Sequence, residues 1–201
     1  MSGGFVICEW GSVKENYPEF QRATERLHAN LVAKAALDWA PKTFGGMAPT
    51  SSQFGESTII PALFRGDAQT VAASGQLVTW NQYLGTTGNR TIMTGANTGN
   101  IYEDYKIGLT GFALLDKSIN ISEIRFQISD RKIARINIEE AYAYENPAII
   151  FEDPLVLDEE TGFTLYAYVL SRGDIRLAPI GFQLNRVPNK LMTTNTGAQL
   201  T

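Results

Sequence analysis

Carboxylate side chains without nearby cations are the most conspicuous candidates for chemistry in this sequence. Residues 137–171 contain no lysine or arginine. The carboxylates that we assign to an acidic edge are Glu152, Asp153, Asp158, Glu159 and Glu160. Calcium prefers oxygen ligands of this kind, but no EF-hand or other ligand spacing is present. Three interpretations of the acidic edge therefore stay open: solvated strand ends, a docking edge for a neighbouring molecule, and a cation site. Calcium is the candidate ion, and we assign no metal ligands.

A locally basic segment lies just before the acidic residues. Its cations are Arg125, Arg131, Lys132 and Arg135. Surfaces of opposite charge on one chain can join copies of that chain head to tail. We therefore interpret the basic segment as the complement of the acidic edge in an assembly.

Residues for acid-base, nucleophilic or transition-metal chemistry are scarce. The chain has one histidine, His28, and one cysteine, Cys8, among its 201 residues. No phosphate-binding glycine loop, nucleophile elbow or paired-cysteine motif is present. A glycosidase needs two carboxylates across a cleft, and 21 acidic residues make such a pair easy to find and therefore uninformative. We predict no catalytic residues, no enzymatic activity and no required cofactor.

Composition limits the class of protein further. Hydrophobic residues make up 44% of the chain, enough for a sizeable core. The net charge of −4 argues against specific nucleic-acid binding, because phosphate recognition needs clustered excess Lys and Arg. The first residues lack the features of a signal peptide, and no stretch reaches the roughly 18 apolar residues of a transmembrane helix. We expect a soluble cytosolic product that functions in a virion or an extracellular assembly.

An N-terminal helix is the clearest helical element. Asn16 suits the N-cap, Pro18 suits a first turn, and Pro41 predicts the end of the helix. Apolar residues recur at spacings of three and four, which predicts one buried stripe. The stripe residues that we assign to an assembly interface, against the same or a neighbouring subunit, are Phe20, Leu27, Leu31 and Trp39.

Two glycine-rich stretches predict irregular connections. Residues 42–57 read as an extended arm, and residues 85–100 read as a long surface loop. Residues 58–64 and 76–84 are candidate strands between them. Aromatic side chains flank the predicted loop and suggest a carbohydrate platform, although they also suit the core and rim of a sheet: Trp80, Tyr83, Tyr102 and Tyr105.

From Ile107 to Leu184, short apolar alternations follow one another with turn signals between them. A change of phase at Ser122 predicts a bulge or turn. Residues 163–170 are apolar or aromatic at nearly every position, which predicts a central strand covered on both faces. Residues 171–174 predict a hairpin turn.

These patterns favour a mainly β protein, an antiparallel β-sandwich or single jelly roll with an N-terminal α-helix and an extended arm. We divide the chain into a strand, helix and arm at 1–57, a β-domain at 58–186, and a flexible tail at 187–201.

The predicted function is a structural subunit that assembles with copies of itself, as a capsid or coat protein or as a filament subunit. The alternative is a β-sandwich module that binds carbohydrate or another ligand.

Overall fold

A computed structural model describes residues 4–43, 54–66, 75–115 and 120–186. Two helices follow the first strand, α1 at Trp10–Asn16 and α2 at Pro18–Thr43. The described residues also form eleven strands: β1 Phe5–Glu9, β2 Phe54–Thr58, β3 Phe64–Arg65, β4 Asn81–Leu84, β5 Gly88–Gly95, β6 Tyr105–Leu114, β7 Ile121–Ile128, β8 Arg131–Asn137, β9 Pro147–Leu157, β10 Phe163–Val169 and β11 Gly173–Arg186.

The strands form two antiparallel sheets. The first sheet has the order β1-β9-β6-β11-β2, and β4 pairs with the N-terminal part of β11. The second sheet has the order β3-β5-β10-β7-β8. Aromatic rings join the two sheets: Phe126 of β7 lies 6.4 Å from Phe112 of β6 and 5.1 Å from Phe151 of β9, between ring centroids. The protein is therefore mainly β, with a sandwich-like core between the sheets.

Helix α2 covers the outer face of the first sheet. Leu31, Ala35 and Trp39 are buried against Leu184 of β11. The helix can approach closely because Gly108 has no side chain; a Cβ there would lie 3.0 Å from Leu27 Cδ2. Nine of the ten residues of β6 are consequently buried. The strand covered on both faces is thus β6.

Three features predicted from sequence are confirmed. Helix α2 begins at Pro18, the residue predicted to lie in its first turn. Strand β7 is bulged at Ser122, because Tyr168 pairs with Glu123 while Val169 pairs with Ile121. The predicted strand at 163–170 is β10, which lies between β5 and β7.

The predicted loop at 85–100 is wrong, because it contains strand β5. This strand pairs with both β3 and β10. Ile92 and Met93 are fully buried in the core, and apolar burial outweighs the turn tendency of the surrounding Gly, Asn and Thr residues. The glycines mark the ends of the strand; Gly88 has a φ of +90°.

Other details also differ from the predictions. The outer face of β10 is exposed at Tyr168, so this strand is covered on one face only. Residues 170–172 connect β10 to β11 in the other sheet, so the turn predicted at 171–174 is a crossover and not a hairpin. Pro61 begins a short 3-10 turn instead of lying in a strand. Helix α2 continues through Pro41 to Thr43, although the missing N–H of Pro41 costs the helix one hydrogen bond.

The N-terminal segment contributes directly to the first sheet. Strand β1 pairs with β9. Strand β2, which pairs with β11, spans the predicted domain boundary between residues 57 and 58. Most of the predicted arm, residues 44–53, and the whole predicted tail, residues 187–201, lie outside the described residues.

Candidate assembly surface

One end of the sandwich is organised around Asn120. Its side-chain amide donates a hydrogen bond to the Asp174 carbonyl at 2.7 Å, and its side-chain oxygen accepts one from Ser171 Oγ at 2.8 Å. The Asn120 carbonyl accepts a further hydrogen bond from the Leu170 amide at 2.7 Å. The start of β7 is thereby joined to the crossover that leads from β10 into β11.

Large apolar side chains are exposed at this end. Leu115, which follows β6, is 54% exposed, and Leu170, which follows β10, is 47% exposed. Tyr83 of β4 is 40% exposed and pairs with Asp174. The Leu115 amide donates a hydrogen bond to the Arg176 carbonyl at 2.8 Å, so Leu115 lies beside the same N-terminal part of β11 that pairs with β4. We call Tyr83, Leu115 and Leu170 the end patch.

The end patch was not predicted from the sequence, although a signal for it exists. Leu115 and Leu170 are the second members of the apolar pairs 114–115 and 169–170. Because side chains alternate across a strand, the two members of such a pair point in opposite directions. Leu114 and Val169 are buried in the core, and their neighbours are left outside.

The predicted helix residues are covered by their own chain. Leu27, Leu31 and Trp39 are buried. Phe20 is partly buried and packs edge-on against Trp10, with ring centroids 6.5 Å apart. Within this chain these side chains pack against their own subunit, and Phe20 keeps part of its surface; their role in an assembly stays a prediction.

Two residues of the predicted acidic edge, Asp158 and Glu159, bind side chains that join α2 to the first sheet. Lys106 of β6 is fully buried, and it donates hydrogen bonds to Asp158 and, at 2.7 Å, to Asp38 of α2. Lys34 also donates to Asp158. The indole of Trp39 lies 5.6 Å from Lys106 Nζ and donates to Glu159 at 3.3 Å.

The charge state of Asp158 follows from these contacts. Burial alone would raise the pKa of this carboxyl, but the hydrogen bonds from Lys106 and Lys34 outweigh burial and hold the pKa below its ordinary value. The hydrogen bond to Asp158 raises the pKa of Lys34. No local pattern predicts this group, because Lys106 is 68 residues from Asp38 and 52 residues from Asp158 in the chain.

The rest of the acidic edge is at the surface. Glu152 and Asp153 lie side by side on β9, and Glu160 lies in the turn after it with a φ of +59°. Within residues 4–43, 54–66, 75–115 and 120–186, no three His, Cys, Asp or Glu side chains are grouped so that they could hold a metal ion.

The basic residues lie on and beside β8, the edge strand of the second sheet. Arg131, Lys132 and Arg135 are exposed on β8, and Arg125 lies on the neighbouring strand β7. Glu123 accepts hydrogen bonds from Nε of Arg125 and Nε of Arg135. Burial would raise the pKa of Glu123, but these two bonds lower it below its ordinary value.

The aromatic residues near 85–105 do not form a single platform. Trp80, Tyr102 and Tyr105 are partly buried against the main core. His28 lies on α2, where its Nε2 is 3.0 Å from the Glu56 carboxylate of β2. Cys8 is buried in β1.

Comparison with family models and with curated proteins finds no match for this chain. In the part of the chain that the structure describes, no helix combines the length and apolar character needed to cross a membrane.

Proposed function

We propose that this protein is a structural subunit that assembles with copies of itself, as a capsid or coat protein or as a filament subunit, and that it has no catalytic activity. Its place of action would be a virion or an extracellular assembly. The observation that carries the proposal is the end patch, where three large apolar side chains are exposed on the strand ends around Asn120.

We further infer that the sandwich is a single jelly roll. A jelly roll is an antiparallel ribbon of eight strands wrapped into two sheets. In such a ribbon the first strand pairs with the last, the second with the seventh, the third with the sixth and the fourth with the fifth. Taking β4 as the first strand, the pairs β4–β11, β5–β10, β6–β9 and β7–β8 support this topology. Capsid subunits and lectin domains both use the jelly roll, so the topology suits assembly without requiring it.

Assembly through the end patch replaces the interface that the sequence suggested on α2. The apolar stripe of the helix is occupied by the first sheet, so it has little surface left to bury. Leu115 and Leu170 retain about half of their surface. Burying a fully exposed leucine contributes about 1.5–3 kcal/mol, so each half-exposed leucine can gain about half of that, and this gain recurs at every contact of a closed or repeating assembly.

The test is the mass of the purified protein in solution. We expect the wild-type chain, with a monomer mass of 22.1 kDa, to form large particles in size exclusion coupled to light scattering. Electron microscopy of the heaviest fraction distinguishes shells from filaments. The double variant Leu115→Asp and Leu170→Asp should give small soluble species, because aspartate cannot be buried unpaired in an interface.

The matched control is Leu37→Asp. Leu37 lies on the outward face of α2 and is 76% exposed, so it undergoes the same chemical change on a different surface. This variant should assemble as the wild type does. A wild-type protein that stays monomeric at all concentrations, or particles unaltered by the double variant, would contradict the proposal.

A further inference from the structure

A groove of about 540 Å³ lies on the outer face of the second sheet. It crosses strands β10, β7 and β8. In register, Tyr166 of β10 pairs with Arg125 of β7, which pairs with Arg135 of β8. The charged and polar side chains that line the groove are Asn89, Arg125, Gln127, Lys132, Arg135 and Tyr166.

The groove is positively charged. Three of its lining side chains are cations, and none of the residues that line it is acidic. Glu123 lies beside the groove and binds Nε of both Arg125 and Arg135. Because the carboxylate uses only the Nε atoms, the terminal guanidinium nitrogens of both arginines have no hydrogen-bond partner among the described residues. Glu123 thus fixes the two arginines in place while neutralising one of three positive charges.

The groove also offers an aromatic ring and amides. Tyr166 is partly buried on β10, the central strand of this sheet. The Gln127 amide nitrogen donates to the Ser129 carbonyl at 2.8 Å, so its carbonyl oxygen is oriented as an acceptor. Asn89 is exposed at the other side, on β5.

We propose that this groove binds a carbohydrate that carries carboxylate groups, such as a chain of uronic acids. Planar guanidinium groups match carboxylates through paired hydrogen bonds. A tyrosine ring suits the apolar face of a sugar, and side-chain amides suit its hydroxyl groups. The volume lies within the range of about 300–1,000 Å³ that is typical of small-ligand pockets, enough for a short saccharide.

Two other anions fit the groove less well. A phosphate ion would use the cations but would leave the tyrosine and the amides without a role. A nucleic acid needs a continuous track of cations and several exposed stacking rings, whereas the two aromatic residues of this groove are Tyr166 and Phe126, and Phe126 is buried in the core. Phosphate and an oligonucleotide are therefore included as probes in the experiment.

The experiment is isothermal titration calorimetry of the full chain at low salt. The probes are digalacturonate, the neutral sugar digalactose, inorganic phosphate and a short oligothymidylate. We expect saturable binding of digalacturonate only. The variant Arg125→Gln with Arg135→Gln should weaken binding about tenfold or more, and Tyr166→Ala should weaken it about tenfold.

The matched control is Arg176→Gln, which removes one exposed arginine from β11 in the other sheet. It should leave the affinity unchanged, and circular dichroism of each variant verifies that the fold is intact. The proposal would be overturned by no binding of digalacturonate, equal binding of digalactose, tighter binding of phosphate or oligothymidylate, or an equal loss of affinity in Arg176→Gln. The readout is independent of assembly, because no residue of the end patch lines the groove.

Discussion

The buried lysine that joins α2 to the sheet offers the sharpest test of how this fold is stabilised. The perturbation is Asp158→Asn, which preserves the size of the side chain and removes its charge. Lys106 is fully buried, so it cannot turn to solvent when it loses a partner. The Asp158 side chain is only 26% exposed. A hydrogen bond to a charged group contributes about 1.5–3 kcal/mol, and we expect a loss of about 2 kcal/mol in the free energy of unfolding.

Asp38→Asn is the matched variant. Asp38 binds the same Lys106 ammonium at 2.7 Å, but its side chain is 38% exposed, and solvent screens the interaction. We expect a loss of about 1 kcal/mol. The double variant leaves a buried cation without either carboxylate, and its loss should reach about 3–5 kcal/mol.

The assay is urea unfolding followed by tryptophan fluorescence and circular dichroism, repeated over pH. Asp158 has a lowered pKa in the folded state, so its stabilising effect is complete above the unfolded value near 3.9 and disappears as pH falls through the folded value. The difference between wild type and Asp158→Asn should therefore be constant above about pH 5 and shrink below about pH 4. Equal losses for the two single variants, or a difference that grows in acid, would refute this reasoning.

Three further predictions concern packing and the N-terminal segment. Gly111→Ala should lower the free energy of unfolding by about 1–3 kcal/mol in urea titrations, because a Cβ would lie 2.1 Å from the Ile149 carbonyl oxygen. The control is Gly11→Ala in α1, where a Cβ would meet nothing within 4 Å. This variant should raise the free energy of unfolding by up to about 1 kcal/mol. Cys8 should react with a thiol reagent only when urea unfolds the protein, because burial first, and then the charge of Glu9, raises the pKa of its thiol; rapid labelling without urea would contradict this. Deleting residues 4–43 should yield insoluble protein in a soluble-fraction assay, since it removes β1 and uncovers Lys106 together with the outer face of the first sheet; a soluble, folded remainder would show that the helix is dispensable.

The fold class was predictable because period-two alternation records which side chains face the core. The strands after residue 105 and the bulge at Ser122 were readable in this way. Strand β5 was not, since its pairing with β10 makes a strand of a segment whose local composition favours a loop. The burial of β6 on both faces was also not predictable from its local sequence, because it depends on packing against α2, which is distant in the chain.

The candidate sites show the same limit. Charge runs located the basic residues of the groove, but Tyr166 and Arg125 come together only through the register of β7 and β10. The acidic run was divided by the fold, with Asp158 drawn to Lys106 and Glu152 left at the surface. Local sequence carries no information about which carboxylate meets a distant lysine.

The pairing of β1 with β9 has a consequence for synthesis of this protein. Cys8 and Ala148, which face each other across these strands, are separated by 140 residues. At about 5–20 residues per second, the ribosome needs roughly 7–28 s to make that stretch of 140 residues. During this interval Val6, Ile7 and Cys8 have no strand to pair with. The nascent chain must therefore keep its own N-terminus from aggregating until its ninth strand emerges.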